Sequence, residues 1–237
     1  MGRRSGLVSY PRSNRNARTP MPLDPHLLQL YLVAAVLLIL APGPDSLLVL
    51  SRSLTEGRRA GFVATAGITL GNVVQALLAA AGVSALIAAS PVLFDLLRYA
   101  GAAYLAWIGG RALWSVVAAR RGGAAAVPAA APAPMRRVFA TALLTNLLNP
   151  KVILFYLAFV PQFVAPERGA VALQTFLLGL ILAAGGCLFL LGVAAASAGA
   201  ARAALTSRRL RGVLDGLCGV LFLGFAVRLL LTERRFA

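Results

Sequence analysis

The feature that most constrains this chain is a recurrence of apolar runs, each roughly 20 to 27 residues long, separated by short Arg-bearing gaps. As a helix, each run spans about 30 Å of hydrocarbon at a rise of about 1.5 Å per residue. Barrel strands would be shorter and would alternate in polarity, and no such segments occur in the sequence. Composition agrees: 59% of the 237 residues are apolar and 13% charged, against about 25% charged in soluble domains. The net charge of +16 does not point to a nucleic-acid partner. Such a partner needs basic residues gathered on one folded face, and here they sit between apolar spans. The fold class is therefore all-α, a polytopic membrane protein. A water-soluble enzyme, a disordered chain and a nucleic-acid binder are excluded.

Six spans are expected. They cover about Leu27–Leu50, Gly61–Ala89, Pro91–Val117, Val138–Val164, Val171–Ala196 and Leu210–Leu231. Residues 1–26 read as a polar, Arg-rich N-terminal extension, with Met21 an alternative start. Residues 27–118 form the first three-helix half and 138–237 the second. The Ala/Pro/Arg stretch 119–137 between them reads as a linker. Arginines orient the spans, because cytoplasmic loops carry the excess. Loops 1, 3 and 5 hold eleven, and the opposite side three, or eight with the extension. Loops 1, 3 and 5 are thus expected in the cytoplasm.

The first span of each half is broken. Pro42-Gly43-Pro44-Asp45 interrupts one and Asn149-Pro150-Lys151 the other. Proline removes a helix hydrogen bond and clashes with the preceding turn. In lipid the freed carbonyls must find partners in protein or in a wet cavity. Plain proline kinks are one reading. The matching positions favour another: two inverted three-helix repeats, whose broken helices meet near the midplane as in secondary transporters.

Charge placement sharpens this, since an intramembrane charge costs at least about 2.5 kcal/mol on insertion scales. Asp95 has Arg98 at i+3 and Asp215 has Arg211 at i−4, so both have a local partner in reach. Asp45 has no basic residue within four positions and directly follows its break. Lys151, the only lysine among 23 basic residues, directly follows the other. The two can pair across the bundle or bind the ammonium and carboxylate of a zwitterionic substrate, and Asp45 can also carry a proton. Tyr156 lies just beyond, either lining the path or interfacial. In the second span Gly67 and Gly71 form a small-residue face for close helix approach. Asn72 and Gln75 share one face, as path lining or as helix glue. Cys187 and Cys218 show no metal-ligand spacing and are expected to lie beside neither break, and the single His26 cannot build a metal site alone. No cofactor is expected.

Taken in order, Ala41-Pro42-Gly43-Pro44-Asp45, Gly57-Arg58-Arg59-Ala60-Gly61, Gly101-Ala102-Ala103-Tyr104-Leu105 and Asn146-Leu147-Leu148-Asn149-Pro150-Lys151 form a recognisable series, which runs on to Phe159-Val160-Pro161-Gln162-Phe163. The chain resembles the LysE/RhtB family of bacterial amino-acid exporters, most closely its RhtB-like branch. The resemblance implies a multi-pass carrier of the bacterial inner membrane, not an enzyme. Its cargo would be amino acids of neutral type such as threonine, homoserine or leucine, or close derivatives, exported by proton antiport. It implies that the Pro42-Gly43-Pro44 and Asn149-Pro150-Lys151 regions lie at the transport path, which makes Asp45 and Asn146 candidates beside them, with Asn72, Gln75 and Tyr156 added from their own positions. It leaves room for a homo-oligomer. Two departures bear on coupling. Position 75 is often His in relatives and is Gln here, and the fifth span lacks an acidic residue that some relatives carry. Asp45 is then the best candidate for coupling. A transmembrane thiol-redox carrier and a heavy-metal cation exporter of the same superfamily are the alternatives.

Overall fold

The computed structural model describes residues 22–41, 43–89, 91–119, 132–196 and 207–231. Pro42, the first 21 residues and most of the expected linker lie outside them, as do Arg120, Arg121 and Arg202. Every regular element among the described residues is helical, and the chain is an all-α polytopic membrane protein.

Each helix starts where local chemistry dictates. The first, α1 (Pro25–Leu40), is capped by Asp24, whose Oδ1 accepts the amides of His26 at 2.9 Å and Leu27 at 3.1 Å. Pro25 suits the first turn because its missing N–H would be unpaired there anyway. After the first break, α2 runs Pro44–Glu56. A single residue, Gly57 at φ +88°, turns the chain into α3 (Arg58–Ala89). That backbone conformation is open to glycine and rarely to other residues. Then come α4 (Pro91–Ala119) and α5 (Met135–Leu147). After the second break α6 (Pro150–Leu154) passes into a wider π turn at Phe155–Phe159 and a tighter 3₁₀ turn at Val160–Phe163. The last two helices among the described residues are α7 (Val171–Ala195) and α8 (Arg208–Leu231).

By length and composition α3 and α7 can each cross a membrane singly. The pair α1–α2, and α5 with Pro150–Phe163, can each cross as one bent span, with bends of 44° and 45°.

The expected first span ends too early. Ser51, Arg52 and Ser53 look like a polar loop in the sequence, yet they are buried within α2. Arg52 pairs with Glu56 one turn on, and the Ser53 hydroxyl donates to the Val49 carbonyl at 2.7 Å. Arg58 and Arg59 open α3, so loop 1 shrinks to Gly57. Of the expected local pairs, the side chains of Asp95, Arg98 and Arg211 lie outside the described set.

Two apolar cores form among the described residues. One joins α1, the turns after α6, α7 and α8 through Tyr31, Phe155, Phe159, Phe163, Leu178, Phe222 and Phe225. Its rings meet edge-on or tilted, with centroids 4.7 Å apart for Phe159–Phe225 and 5.3 Å for Tyr31–Phe163. The other gathers Val49, Leu50, Ile68, Val138, Ala142 and Leu190 from α2, α3, α5 and α7. The most extensive helix contacts are α3 on α7 and α4 on α8. The small face of α3 packs against α5: a Cβ on Gly67 would meet the Phe139 carbonyl oxygen at 2.5 Å. Backbones of α4 and α8 touch at Gly109 and Gly219 in the same way.

Candidate functional site

The two breaks meet between the cores, and each must solve the same problem. A helix that stops in lipid exposes amides at one side of the break and carbonyls at the other.

The amide ends are capped locally. Ser46 closes the start of α2: its hydroxyl accepts the Gly43 N–H and donates to the Gly43 carbonyl, both at 3.1 Å. Asn149 caps α6 by accepting the Lys151 N–H at 3.1 Å. Asp45 sits in the first turn of α2, where the helix dipole favours a negative charge.

The carbonyl ends are capped from a distance. The Lys151 ammonium donates to the carbonyls of Leu38 at 3.4 Å and Ala41 at 3.3 Å. It thus lies at the negative end of α1. The Gln75 amide donates to the carbonyls of Asn146 at 3.1 Å and Leu147 at 3.4 Å, closing the end of α5. The Tyr104 hydroxyl reaches the Pro150 carbonyl at 3.2 Å.

Side chains also tie one break to the other. Asp45 accepts from Asn146 at 2.8 Å and from Asn149 at 3.2 Å, one bond to each carboxylate oxygen. Asn146 donates in addition to Asn72 at 3.2 Å. Its own oxygen is buried without a partner against Gly71, where a Cβ would lie 2.4 Å away. Asp45 and Lys151 therefore do not pair with each other. Lys151 bonds carbonyls and Asp45 bonds amides.

A cavity of about 80 Å³ opens here. A single water needs about 10–15 Å³, so the space suits a small organic molecule. Gly43, Asp45, Ser46, Asn72, Asn149 and Lys151 supply its polar lining. Leu38, Ile68, Val152, Leu182, Phe189 and Leu190 supply most of its apolar lining.

The sequence-predicted residues thus divide. Gly43, Asp45, Asn72, Asn149 and Lys151 line the cavity. Asn146 lies fully buried behind it and orients Asp45. Gln75 is a helix cap rather than part of the lining. Tyr156 is buried and donates to the Gly179 carbonyl at 3.1 Å, tying the π turn to α7. Pro44 and Pro150 begin their helices, and Pro42 lies outside the described residues. Sequence reasoning missed Ser46 and the α7 wall. The signal for Ser46 was its place three residues after Gly43, ahead of an apolar run. Cys218 also needs correction: its thiol lies 3.1 Å from the Leu37 carbonyl, in the last turn of α1 and so beside the first break.

A multi-span helical protein with two interrupted helices enclosing a small charged cavity has the build of a membrane carrier. Residues 36–233 match the LysE type translocator family, and the chain belongs to it: it is a transport protein, not an enzyme. It is 36% identical over 203 residues to the leucine efflux protein of Enterobacter sp. (strain 638), covering 84% of this chain and 92% of that one. It is 37% identical over 199 residues to the leucine efflux protein of Klebsiella pneumoniae subsp. pneumoniae, with the same coverage. The leucine efflux protein of Salmonella typhimurium is 36% identical over 199 residues. No solved structure matches.

Proposed function

We propose that this protein exports neutral amino acids of about leucine size from the bacterial cytoplasm across the inner membrane, in exchange for protons. One observation carries the reading: an acid and a base face one small cavity without pairing with each other. Each keeps unused capacity. An ammonium has three donors, and Lys151 uses two on carbonyls. A carboxylate has about four acceptor sites, and Asp45 has two filled. A zwitterion fits between them, its ammonium on Asp45 and its carboxylate on Lys151. A substrate with net charge would leave one of the two uncompensated. The family membership and the efflux relatives support the same cargo class.

Six spans in two inverted repeats, with loops 1, 3 and 5 cytoplasmic, give alternating access around this point. The equivalent bends of α1–α2 and α5–α6 support that symmetry, as do the contacts of α3 with α7 and α4 with α8. Among the described residues Asp45 is the only carboxylate lining the cavity, so proton and substrate ammonium compete for it. A substrate carboxylate competes with the Leu38 and Ala41 carbonyls for Lys151. Binding therefore loosens the cap on α1, which links occupancy to movement of the first half.

The test is uptake of labelled leucine into inverted vesicles under an imposed proton gradient. The reading expects uptake that collapses with an uncoupler. Full uptake by Asp45→Asn with unchanged pH dependence would remove Asp45 from coupling.

A further inference from the structure

Beyond Gln174 and Thr175 in its first turns, helix α7 is apolar on every side, so its sequence does not tell which face it turns inward there. The structure does. Leu182, Gly186, Phe189 and Leu190 line the cavity, at the i, i+4, i+7 and i+8 spacing of one helix face. Gly186 is the gap in that wall. A Cβ built on it would meet a single neighbour within 4 Å, the Asn72 amide nitrogen at 3.9 Å. Two other glycines of this helix are close-packed instead, and a Cβ on one of them, Gly185, would lie 2.9 Å from the Ile39 side chain. At Gly179 a Cβ would lie 2.5 Å from the Ala76 Cβ and 2.9 Å from the Tyr156 ring, so its smallness is used up by helix packing. The space over Gly186 belongs to the cavity instead. Ile68 of α3 completes the apolar boundary.

We infer that Gly186 sets the size limit for the transported side chain, with Ile68, Leu182, Phe189 and Leu190 forming a subsite for a branched aliphatic group. This rests on the amino-acid export reading and deepens it. The polar lining holds the ammonium and carboxylate that all amino acids share, so it cannot tell one from another. Discrimination falls to the apolar wall. A methyl group added at Gly186 takes the volume that a leucine side chain needs and leaves room for alanine. In a close-fitting apolar pocket a single methylene changes discrimination by about 10- to 200-fold.

The experiment compares wild type, Gly186→Ala and Gly186→Val in inverted vesicles, with labelled leucine and labelled alanine measured in parallel at equal protein abundance. Gly186→Ala makes only an ordinary contact with Asn72, so it folds even if the valine variant does not. Gly192→Ala serves as the control, because a Cβ there meets nothing within 4 Å and Gly192 does not line the cavity. The leucine-to-alanine rate ratio is expected to fall about tenfold in Gly186→Ala and further in Gly186→Val, with alanine transport kept and Gly192→Ala unchanged. A ratio that stays at the wild-type value in Gly186→Ala overturns the assignment of Gly186 alone. Wild-type vesicles that accumulate neither amino acid overturn the export reading and this inference together.

Discussion

The two breaks look alike in sequence and are closed by different chemistry. In both, the amide end is capped by a local side chain, Ser46 in one and Asn149 in the other. The carbonyl ends differ. The end of α1 is held by Lys151, a charge that also faces the cavity. The end of α5 is held by Gln75, a neutral amide that is not part of the lining. The first cap faces the cavity and the second does not. On the proposed export reading the first break responds to binding, while the second is a fixed frame that presents Asn146 and Asn149 to Asp45.

The largest effect is expected at Asp45. Asp45→Asn keeps the shape and removes the charge. Truncating one side of a desolvated charge pair costs about 2–5 kcal/mol, so leucine transport should fall at least about thirtyfold. Near-wild-type transport with the usual pH profile would show that the first break does not bind the ammonium.

Lys151 comes next, and it separates two roles. Lys151→Met removes the cap from α1 and the contact to the carboxylate together. Orphaned buried carbonyls cost about 1–3 kcal/mol, so thermal stability and transport should both drop. Lys151→Arg keeps a cation and should recover stability more fully than transport. If Lys151→Met melts earlier but transports at the wild-type rate, the lysine is a cap and nothing more, and the two breaks are alike after all.

Asn146 tests the frame. Asn146→Ala removes one of the two bonds to Asp45 and the link to Asn72. A hydrogen bond to a charged group is worth about 1.5–3 kcal/mol, which corresponds to roughly a tenfold or greater loss in transport efficiency. Transport unchanged in this variant would mean that Asp45 needs no support from the second break.

Much of this was legible in the sequence, for reasons that also mark the limit. Prolines inside apolar runs locate both breaks because lipid offers no water to the freed carbonyls. Asp45 and Lys151 stood out because a charge beside such a break is costly. Their partners were not legible. The bonds from Asn146 and Asn149 to Asp45 span 101 and 104 residues, and the Lys151 bonds span 113 and 110. Such pairings depend on how the helices pack. Pairing Asp45 with Lys151 was one natural reading of two lone opposite charges, and the geometry gives each a different partner. The inward face of α7 was hidden because its stretch after Thr175 is wholly apolar and carries no periodic signal. The end of the first span was misread because Ser51, Arg52 and Ser53 are polar in composition but buried among neighbouring helices. A Cβ at Gly61 of α3 would lie 1.9 Å from the Ser53 hydroxyl, which shows how closely α2 is held there.

Gln75 carries the smallest expected effect and the sharpest contrast with Lys151. Position 75 sits among residues that invite a functional role, one turn from Asn72 on the same helix face. Its amide is nevertheless committed to the Asn146 and Leu147 carbonyls. Gln75→Met keeps the length of the side chain and removes both donors. It should lower the melting temperature of the solubilised protein through a loss of about 1–3 kcal/mol. Leucine transport per folded molecule should stay within about twofold of wild type, since the missing bonds belong to a buried cap and amount to under about 0.4 kcal/mol at the cavity on that bound. The pH profile should not move. A shifted profile or an altered leucine-to-alanine ratio would place Gln75 on the path and make the second break as responsive as the first.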